Sequence, residues 1–366
     1  MCAKTDQYLN LPQSEFKERQ EKMRKMMKKI DALIIMNPIN VYYLTGFEGA
    51  GYLLITPTQT ILYTGFIDKE PAKNAVCDDV IILKGKLNIG MIKTAPFKHL
   101  KNIGIESSIS YAEFMHLQKL LKKKRKRLIP VTGKVEALRL TKSEEEIKLI
   151  KKAAEISDEV FGEIQKMIKP GITEREIAIE IDYQLKKKGA RRASFEVIVA
   201  AGENGALPHA ISGDYKIKEG DMITIDMGAQ YKGYCSDMTR TFAVGEPSQE
   251  MKKIYKIVKE AQERAIEAVK PGIKVRELDK IARDFIKKEG FGKYFGHSLG
   301  HGIGLQVHEA PRVSWLGKGE LKENMVITIE PGIYIPGKGG VRIEDMVVVR
   351  KEGPEILTKS KKIEIL

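Results

Sequence analysis

The sequence predicts an α/β domain over residues 1–137, followed by an α+β domain with an internal pseudo-twofold repeat over residues 138–366. The first part alternates helical and strand-like patterns, as α/β domains do. A capping-box pattern, Ser143 to Glu146, then opens a long amphipathic stretch and marks the boundary. Beyond it, two similar segments recur at a fixed offset. A chain of 366 residues is also long for a single core.

The N-terminal domain is predicted to have a mostly parallel or mixed sheet. Strand patterns cover 32–36, 51–55, 60–63, 80–83, 102–105 and 128–131, and helices are predicted at 14–30, 68–75 and 112–124. Ser14 is the expected cap of the first helix. The two histidines of this part, His99 and His116, have no partner residues with which to form a site.

Composition excludes several classes of protein. Hydrophobic residues make up 42% and charged residues 31%, as in a globular protein, and no run of about 18 apolar residues predicts a membrane span. The N-terminus lacks the basic and apolar segments of a signal peptide. Three scattered cysteines, Cys2, Cys77 and Cys235, indicate a reducing cytoplasm and disfavour a thiolate metal site.

The net charge of +14 raises the question of nucleic-acid binding. The strongest basic run, residues 122–127, follows a helical pattern without interleaved aromatic residues, and no nucleic-acid motif accompanies it. We interpret the run as a solvated helix end, so no nucleic-acid partner is predicted.

The second domain contains the repeat. IKPGITEREIAIEIDYQLKKKG (168–189) resembles VKPGIKVRELDKIARDFIKKEG (269–290), and each copy is followed by an acid-bearing strand pattern, MITID or MVITIE. Two equivalent hairpins facing across a pseudo-twofold axis would bring their carboxylates to the centre of one curved sheet. His209 and His308 fall at nearly matching places in the two halves.

Five residues in this domain are candidate metal ligands. Asp226, Asp237, Glu330 and Glu344 lie on otherwise apolar strand patterns, and His301 lies in GHSLGHGIG. Strands are poor in Asp and Glu, and a buried carboxylate without a partner is costly. One such Asp is commonly a turn or edge residue, but four acids in two hairpins predict two divalent cations as counter-charge.

The spacing predicts how the acids face each other. If the first hairpin turns around Tyr231-Lys232, Asp226 lies directly opposite Asp237. Glu330 and Glu344 flank a Pro/Gly-rich loop, 331–340, and face each other if that loop has an odd length or a bulge.

This ligand set suits a hydrolytic metal pair. Oxygen ligands with one imidazole favour Mn²⁺, Co²⁺, Fe²⁺ or Zn²⁺, and a metal pair polarises a carbonyl and activates water. His209, His297 and His308 are candidates to donate to a substrate carbonyl or an oxyanion. Arg342, two residues before Glu344, is a candidate to orient a ligating carboxylate.

At these residues the chain resembles the metal-dependent Xaa-Pro peptidases, prolidase and aminopeptidase P, which have the pita-bread catalytic fold. The matching segments are ALPHA, ITIDMGA, SDMTRTF, GHGIG, VHEAP, TIEPG and GVRIED, with NVYYLTGF in the N-terminal domain. The resemblance implies a metallo-exopeptidase that cleaves Xaa-Pro bonds in small proline-containing peptides, with Mn²⁺ or Co²⁺ preferred.

The resemblance also assigns roles to residues. Asp226, Asp237, His301, Glu330 and Glu344 would bind the two metals, and Glu330 would also handle the proton of the nucleophilic water. His209 and His308 would contact substrate carbonyls, with His297 nearby. Arg342 would support Asp226, and Arg312 in HEAPR would hold the substrate carboxylate. We further expect a cytoplasmic homodimer in which the N-terminal domain limits substrate length.

Three alternatives remain open at the level of sequence. A methionine aminopeptidase shares the catalytic fold, but usually lacks an N-terminal domain of this size. Creatinase-like hydrolases share both domains without this metal set, and a non-catalytic binding protein on the same fold would be expected to lose ligands. The sequence does not separate dipeptidase from aminopeptidase activity.

Overall fold

A computed structural model describes residues 10–366, so Cys2 and the segment assessed for a signal peptide up to residue 9 lie outside the description. The chain divides into two compact units, with the second beginning at Leu140. One cluster of buried apolar residues lies on the sheet of the first unit, and two further clusters are built from residues of the second unit. Among residues 10–366, no helix combines the length and apolar character that a membrane crossing requires.

The first unit is an α/β domain with one six-stranded mixed sheet. Its elements are α1 (Gln13–Lys25), β1 (Ala32–Ile35), α2 (Pro38–Thr45), β2 (Gly51–Ile55), β3 (Thr60–Gly65), α3 (Lys69–Ala72), β4 (Asp79–Leu83), α4 (Leu87–Thr94), β5 (Asn102–Glu106), α5 (Tyr111–Lys123), β6 (Arg127–Val131) and α6 (Lys134–Arg139). The strand order is β4-β3-β2-β1-β5-β6. β1 pairs in parallel with β5 and antiparallel with β2, so the predicted mixed sheet is confirmed.

Some predicted boundaries in this unit are wrong. α1 ends at Lys25 rather than residue 30, because Met26 and Met27 donate to carbonyls three residues back and the chain then turns into β1. Ser14 lies within the helix, and its N-cap is Pro12. α3 is a single turn, followed by turn hydrogen bonds at Asn74 and Ala75.

The second unit is an α+β domain. Its elements are α7 (Glu144–Gln165), α8 (Glu174–Lys187), β7 (Arg192–Ala193), β8 (Ile198–Ala201), β9 (Met222–Met227), β10 (Ala229–Tyr231), β11 (Tyr234–Cys235), β12 (Met238–Ala243), α9 (Gln249–Glu267), α10 (Val275–Lys288), β13 (Gly300–Gly302), β14 (Glu309–Val313), β15 (Val326–Ile329), β16 (Gly332–Ile335), β17 (Gly339–Arg342), β18 (Asp345–Val348) and β19 (Glu355–Ile356). The predicted capping box opens α7, with Ser143 and Glu146 each accepting from the other's backbone N–H.

The predicted internal repeat is present. Each half has a long helix, a Pro-Gly turn and a 14-residue helix, namely α7 with α8 and α9 with α10. The turn glycines, Gly171 and Gly272, have φ of 94° and 87°, a conformation that favours glycine. Their N–H groups donate over 2.8 Å to Ile217 and Leu321 respectively. The same local hydrogen bonds therefore recur in both halves.

The strands of the two halves do not form the single sheet that the repeat predicted. β12-β9-β8 and β14-β13-β15-β18-β19 are separate ladders, flanked by the smaller sheets β11-β10-β7 and β16-β17. The halves meet where the N–H of Glu344 donates to the carbonyl of Thr239 over 3.1 Å. The hydroxyl of Thr241 also donates to the carbonyl of Arg342 over 2.8 Å. This seam brings the acid-bearing strands of both halves together.

Candidate metal centre

Asp226 and Asp237 do not lie directly opposite each other, contrary to the predicted register. Asp226 on β9 pairs with Thr239 on β12. The turn lies at Lys232-Gly233, one residue later than predicted, because these two residues have φ of 48° and 86°. Positive φ at both central residues is typical of the tight turn that suits a two-residue hairpin. Asp237 therefore precedes β12, diagonal to Asp226.

Glu330 and Glu344 occupy the gap between two strand pairs. β15 pairs with β18 through Ile329 and Asp345, and β16 pairs with β17 through Gly332 and Arg342. One register continues through both pairs, so Glu330 and Glu344 fall opposite each other. The segment predicted as a Pro/Gly-rich loop is the β16–β17 hairpin.

His301 on β13 links the acids of the two hairpins. Its Nε2 lies 3.3 Å from Oε1 of Glu330 and 3.6 Å from Oδ2 of Asp237. Asp237, His301 and Glu344 each offer a ligand atom, and these three atoms lie within 4.8 Å of one another. The imidazole of His301 is held at its other nitrogen, Nδ1, which lies 3.0 Å from the carbonyl of Gly302.

A single cavity of ≈ 610 Å³ contains every candidate site residue named from the sequence. The four acids and His301 are part of its polar lining. Apolar residues and the remaining polar residues complete the lining: Phe195, Ile198, Pro208, His209, His297, Ser298, Val307, His308, Glu309, Arg312, Tyr334 and Arg342, with Gly296 and Gly300. This mixture of apolar walls and convergent polar groups is typical of a small-molecule site.

The pKa values of the acids reflect crowding in a buried place. Burial, together with the charge of Glu344, raises the pKa of Asp237 well above its usual value of 3.8. Burial and the charge of Glu330 likewise raise the pKa of Glu344 well above 4.5. Burial also raises the pKa of Asp226, although Arg342 opposes the shift. For Glu330, burial is outweighed by the hydrogen bond and charge of His301, so its pKa is lowered.

Divalent cations fit these residues. Oδ1 of Asp226 and Oε1 of Glu344 are buried without a hydrogen-bond partner in the described part of the chain. Buried carboxylate oxygens are rarely left unpaired, and crowded like charges need a counter-ion. The donor set, four carboxylates and one imidazole, suits hard to borderline divalent metals.

Arg342 and two hydroxyls hold the acids in place. Nη2 of Arg342 donates to Oδ2 of Asp226 over 2.7 Å, and Nη1 donates to the hydroxyl of Tyr334 over 2.9 Å. Thr239 accepts from Nε of Arg342 over 3.1 Å and donates to Oε2 of Glu344 over 2.7 Å. The sequence analysis missed Thr239 and Tyr334. Thr239 could be identified from its pairing with Asp226, but only once the register of the two strands is known.

The other candidate residues lie around the acids. His308 packs on His301 with ring centroids 4.4 Å apart, and burial, then the charge of His301, lowers its pKa. Nε2 of His297 lies 2.9 Å from the hydroxyl of Tyr334, and burial lowers the pKa of His297. Arg312 on β14 donates to the hydroxyl of Ser298 over 2.9 Å. His209 lines the cavity beside Pro208.

The second unit is a pseudo-symmetric α+β domain, and its cavity holds four carboxylates and the imidazole of His301. Such a site is typical of a metal-dependent hydrolase. Residues 148–351 match metallopeptidase family M24, and residues 19–141 match the creatinase/prolidase N-terminal domain. The chain belongs to metallopeptidase family M24, which confirms the family resemblance and the fold class predicted from the motifs.

Relatives with more specific names are similar over nearly the whole chain. An Xaa-Pro dipeptidase of Pyrococcus furiosus is 43% identical, with 94% of this chain and 99% of that protein covered. The solved structure of an Xaa-Pro dipeptidase from Bacillus anthracis is 41% identical, covers 96% and 100% of the two chains, and superposes with a TM-score of 0.92. An X-Pro aminopeptidase of Thermotoga maritima is 40% identical, covers 94% and 99%, and has a TM-score of 0.87.

Proposed function

We propose that this metallopeptidase hydrolyses the peptide bond before proline at the N-terminus of small peptides. The observation that carries the proposal is the single cavity in which three histidines and Arg312 surround the acid cluster. Relatives named as Xaa-Pro dipeptidase and as X-Pro aminopeptidase both align over more than nine-tenths of this chain. Dipeptides and longer peptides are therefore both candidate substrates.

Asp226, Asp237, His301, Glu330 and Glu344 are the proposed ligands of two divalent ions, with Mn²⁺ or Co²⁺ first and Zn²⁺ or Fe²⁺ next. The three ligand atoms within 4.8 Å of one another and the two unpartnered carboxylate oxygens support this assignment. When bound, such ions act as Lewis acids and make water a nucleophile near neutral pH.

The other roles in the proposed reaction are assigned to protein side chains. Glu330 is the proposed proton acceptor for the nucleophilic water, and its carboxylate is held by Thr328, which donates to Oε1 over 3.3 Å. His308 and His209 are the proposed donors to substrate carbonyl oxygens and to the oxyanion as it develops. Because burial lowers the pKa of His308, a neutral imidazole with one N–H is the favoured form.

Arg312 is the proposed partner of the substrate carboxylate. Arg312 lines the cavity, and its Nε donates to the hydroxyl of Ser298. A planar guanidinium suits a carboxylate because it donates two parallel hydrogen bonds. His297 and Arg342 complete the proposed set as groups that hold Tyr334 and Asp226.

The test compares Xaa-Pro with Xaa-Pro-Yaa peptides. Purified protein should be inert after chelation and should regain cleavage with Mn²⁺ or Co²⁺. The ratio of kcat/KM for the two substrates then decides between dipeptidase and aminopeptidase. Full activity in protein shown by elemental analysis to be metal-free would contradict the dinuclear mechanism. A metal-loaded protein that cleaves neither substrate would favour a binding role.

We also propose that the protein is a homodimer in the cytoplasm. Support for a reducing compartment comes from the cysteines, since Cys77 and Cys235 are both free thiols. Sedimentation of the intact protein tests the dimer, and a single species at the mass of one 41.2 kDa chain would contradict it.

A further inference from the structure

An ion pair on α10 lies behind the cavity and is not part of its lining. Asp279 is fully buried, and Arg283 is one helical turn further on. Nε and Nη2 of Arg283 donate to the two carboxylate oxygens of Asp279 over 2.7 and 2.9 Å. A bidentate pair of this kind fixes the plane of the guanidinium.

This pair holds the backbone of residues 295–299. Arg283 donates from Nη1 to the carbonyl of Phe295 over 2.9 Å and from Nη2 to that of His297 over 2.8 Å. Asp279 accepts from the N–H of Leu299 over 3.1 Å. Alternate residues of the segment are thus hydrogen-bonded to one buried ion pair, and the guanidinium also stacks on the ring of Phe295, 4.2 Å from its centroid.

The segment carries two contacts of the site. His297 meets the hydroxyl of Tyr334, and Ser298 accepts from Nε of Arg312 over 2.9 Å. Arg283 also lies 4.2 Å from the ring centroid of Trp315, three residues after Arg312. The same guanidinium therefore contacts the segment that carries Ser298 and the segment that carries Arg312.

We propose that Arg283 is a positioning residue for substrate binding: held by Asp279, it fixes the backbone that carries Ser298, and through Ser298 the guanidinium of Arg312. This inference rests on the proposed function, because it assigns Arg312 to the carboxylate of a proline-containing peptide. Lysine cannot replace Arg283, since an ammonium lacks the planar fork that bonds one carboxylate and two carbonyls together.

The test uses Arg283→Lys and a matched control. Arg264 on α9 is likewise paired with an acid four residues earlier, since its Nε and Nη2 donate to Oε1 of Glu260, and it stacks on Phe285 at 4.2 Å, but the pair is exposed and its hydrogen bonds do not reach residues 295–299. Both metal-loaded variants are assayed with Ala-Pro and with Ala-Pro amide, which lacks the carboxylate. Trp315 is the only tryptophan of the chain, so intrinsic emission reports on this site directly.

For Arg283→Lys we expect KM for Ala-Pro to rise by about 10-fold, as for a weakened charged hydrogen bond, with kcat little changed. Cleavage of the amide should change much less, and Trp315 emission should shift. Arg264→Lys should match the wild type in every measurement. Equal losses on both substrates, unchanged kinetics, or the same effect in Arg264→Lys would overturn the inference.

A second readout separates this inference from the proposed activity. L-proline, the product that bears the carboxylate, is titrated against the wild type and Arg283→Lys while Trp315 emission is followed. If the wild type cleaves neither peptide, the proposed function fails, and weaker L-proline binding in Arg283→Lys still supports the positioning role. Equal affinity in the two proteins, or no response in the wild type, overturns it.

Discussion

Arg342 donates to Oδ2 of Asp226 over 2.7 Å, while Oδ1 of the same carboxylate is buried without a hydrogen-bond partner among the described residues. One oxygen is therefore fixed by the protein, and the other is left without a protein partner in a residue that lines the cavity. Thr239 repeats this arrangement at Glu344, where it donates to Oε2 and leaves Oε1 without a partner. The protein thus orients each carboxylate through one oxygen and leaves the second for a ligand.

Replacing Arg342 with lysine should weaken metal binding without removing a ligand. Lysine retains the charge but cannot hold Asp226, Thr239 and Tyr334 together, so we expect affinity to fall by about 10- to 100-fold. Calorimetric titration with Mn²⁺ measures the change. Tyr334→Phe is the milder control, because it removes one hydroxyl and leaves the contact with Asp226. Equal metal affinity in Arg342→Lys and the wild type would refute this role.

Removing a proposed ligand charge should abolish both metal content and cleavage. Asp237→Asn and Glu344→Gln keep the side-chain volume but weaken the donor, and both residues belong to the group of ligand atoms within 4.8 Å. Elemental analysis after dialysis measures the metal content. Asp214→Asn is the matched control, since this acid is exposed and paired with Arg175. Normal metal content in both site variants would show that the ligands are assigned wrongly.

Much of the site could be predicted because burying acids on apolar strands needs a counter-charge, and that pattern is visible in one dimension. All ten candidate residues line one cavity. The register was wrong because lysine rarely has positive φ, and the sequence did not signal that Lys232 takes it. Tyr334 and Ser298 were missed because a hydroxyl becomes functional only through the partner it meets in three dimensions.

Crowded carboxylates should make the metal-free protein lose stability as pH rises. A carboxyl whose pKa is raised by folding binds more protons in the folded state, so the free energy of unfolding falls as pH rises from its ordinary value to its folded one. For Glu344 this window opens at 4.5 and extends upward. The pKa of Glu330 is lowered by folding, so this residue makes the free energy of unfolding increase as pH rises, but only in the range below pH 4.5.

Thermal melts of chelated wild type and chelated Glu344→Gln from pH 5 to pH 8 isolate the effect of Glu344. The Tm of the wild type should fall more steeply, by roughly 2–4 °C for each kcal/mol lost in a domain of this size. Metal-loaded wild type should lose this difference. Parallel Tm profiles for the two chelated proteins would contradict the prediction.

His308→Ala should keep the metals and lose rate. His308 packs against His301 but is not among the proposed ligands, so metal content should be unchanged. Loss of an oxyanion donor should lower kcat by about 10²- to 10³-fold. His116→Ala, in the N-terminal unit, controls for loss of an imidazole elsewhere. Metal loss from His308→Ala would show that this histidine is a ligand.

The fold was predicted best where a short stretch of sequence carries a clear strand pattern or a helix-capping motif. β2 was predicted with its observed bounds, and the capping box located the start of α7. α2 was missed because six of its eight residues are buried, so no polar face marks a helical period. α4 and α6 were missed as well; both are short, and α6 has only six residues.

The N-terminal unit should control substrate length rather than chemistry. All proposed site residues lie after Leu140, and the two described apolar clusters of the second unit contain no residue before it. A fragment of residues 140–366 should therefore bind metal. A peptidase limited to short peptides needs a barrier at one end of its cleft, and the N-terminal unit of a neighbouring subunit is the expected barrier.

The fragment should cleave long and short Xaa-Pro peptides with similar kcat/KM, whereas the intact protein should prefer short ones. Sedimentation should show that the fragment has lost the dimer. An intact protein that is monomeric, with a length preference unchanged in a metal-binding fragment, would exclude this role.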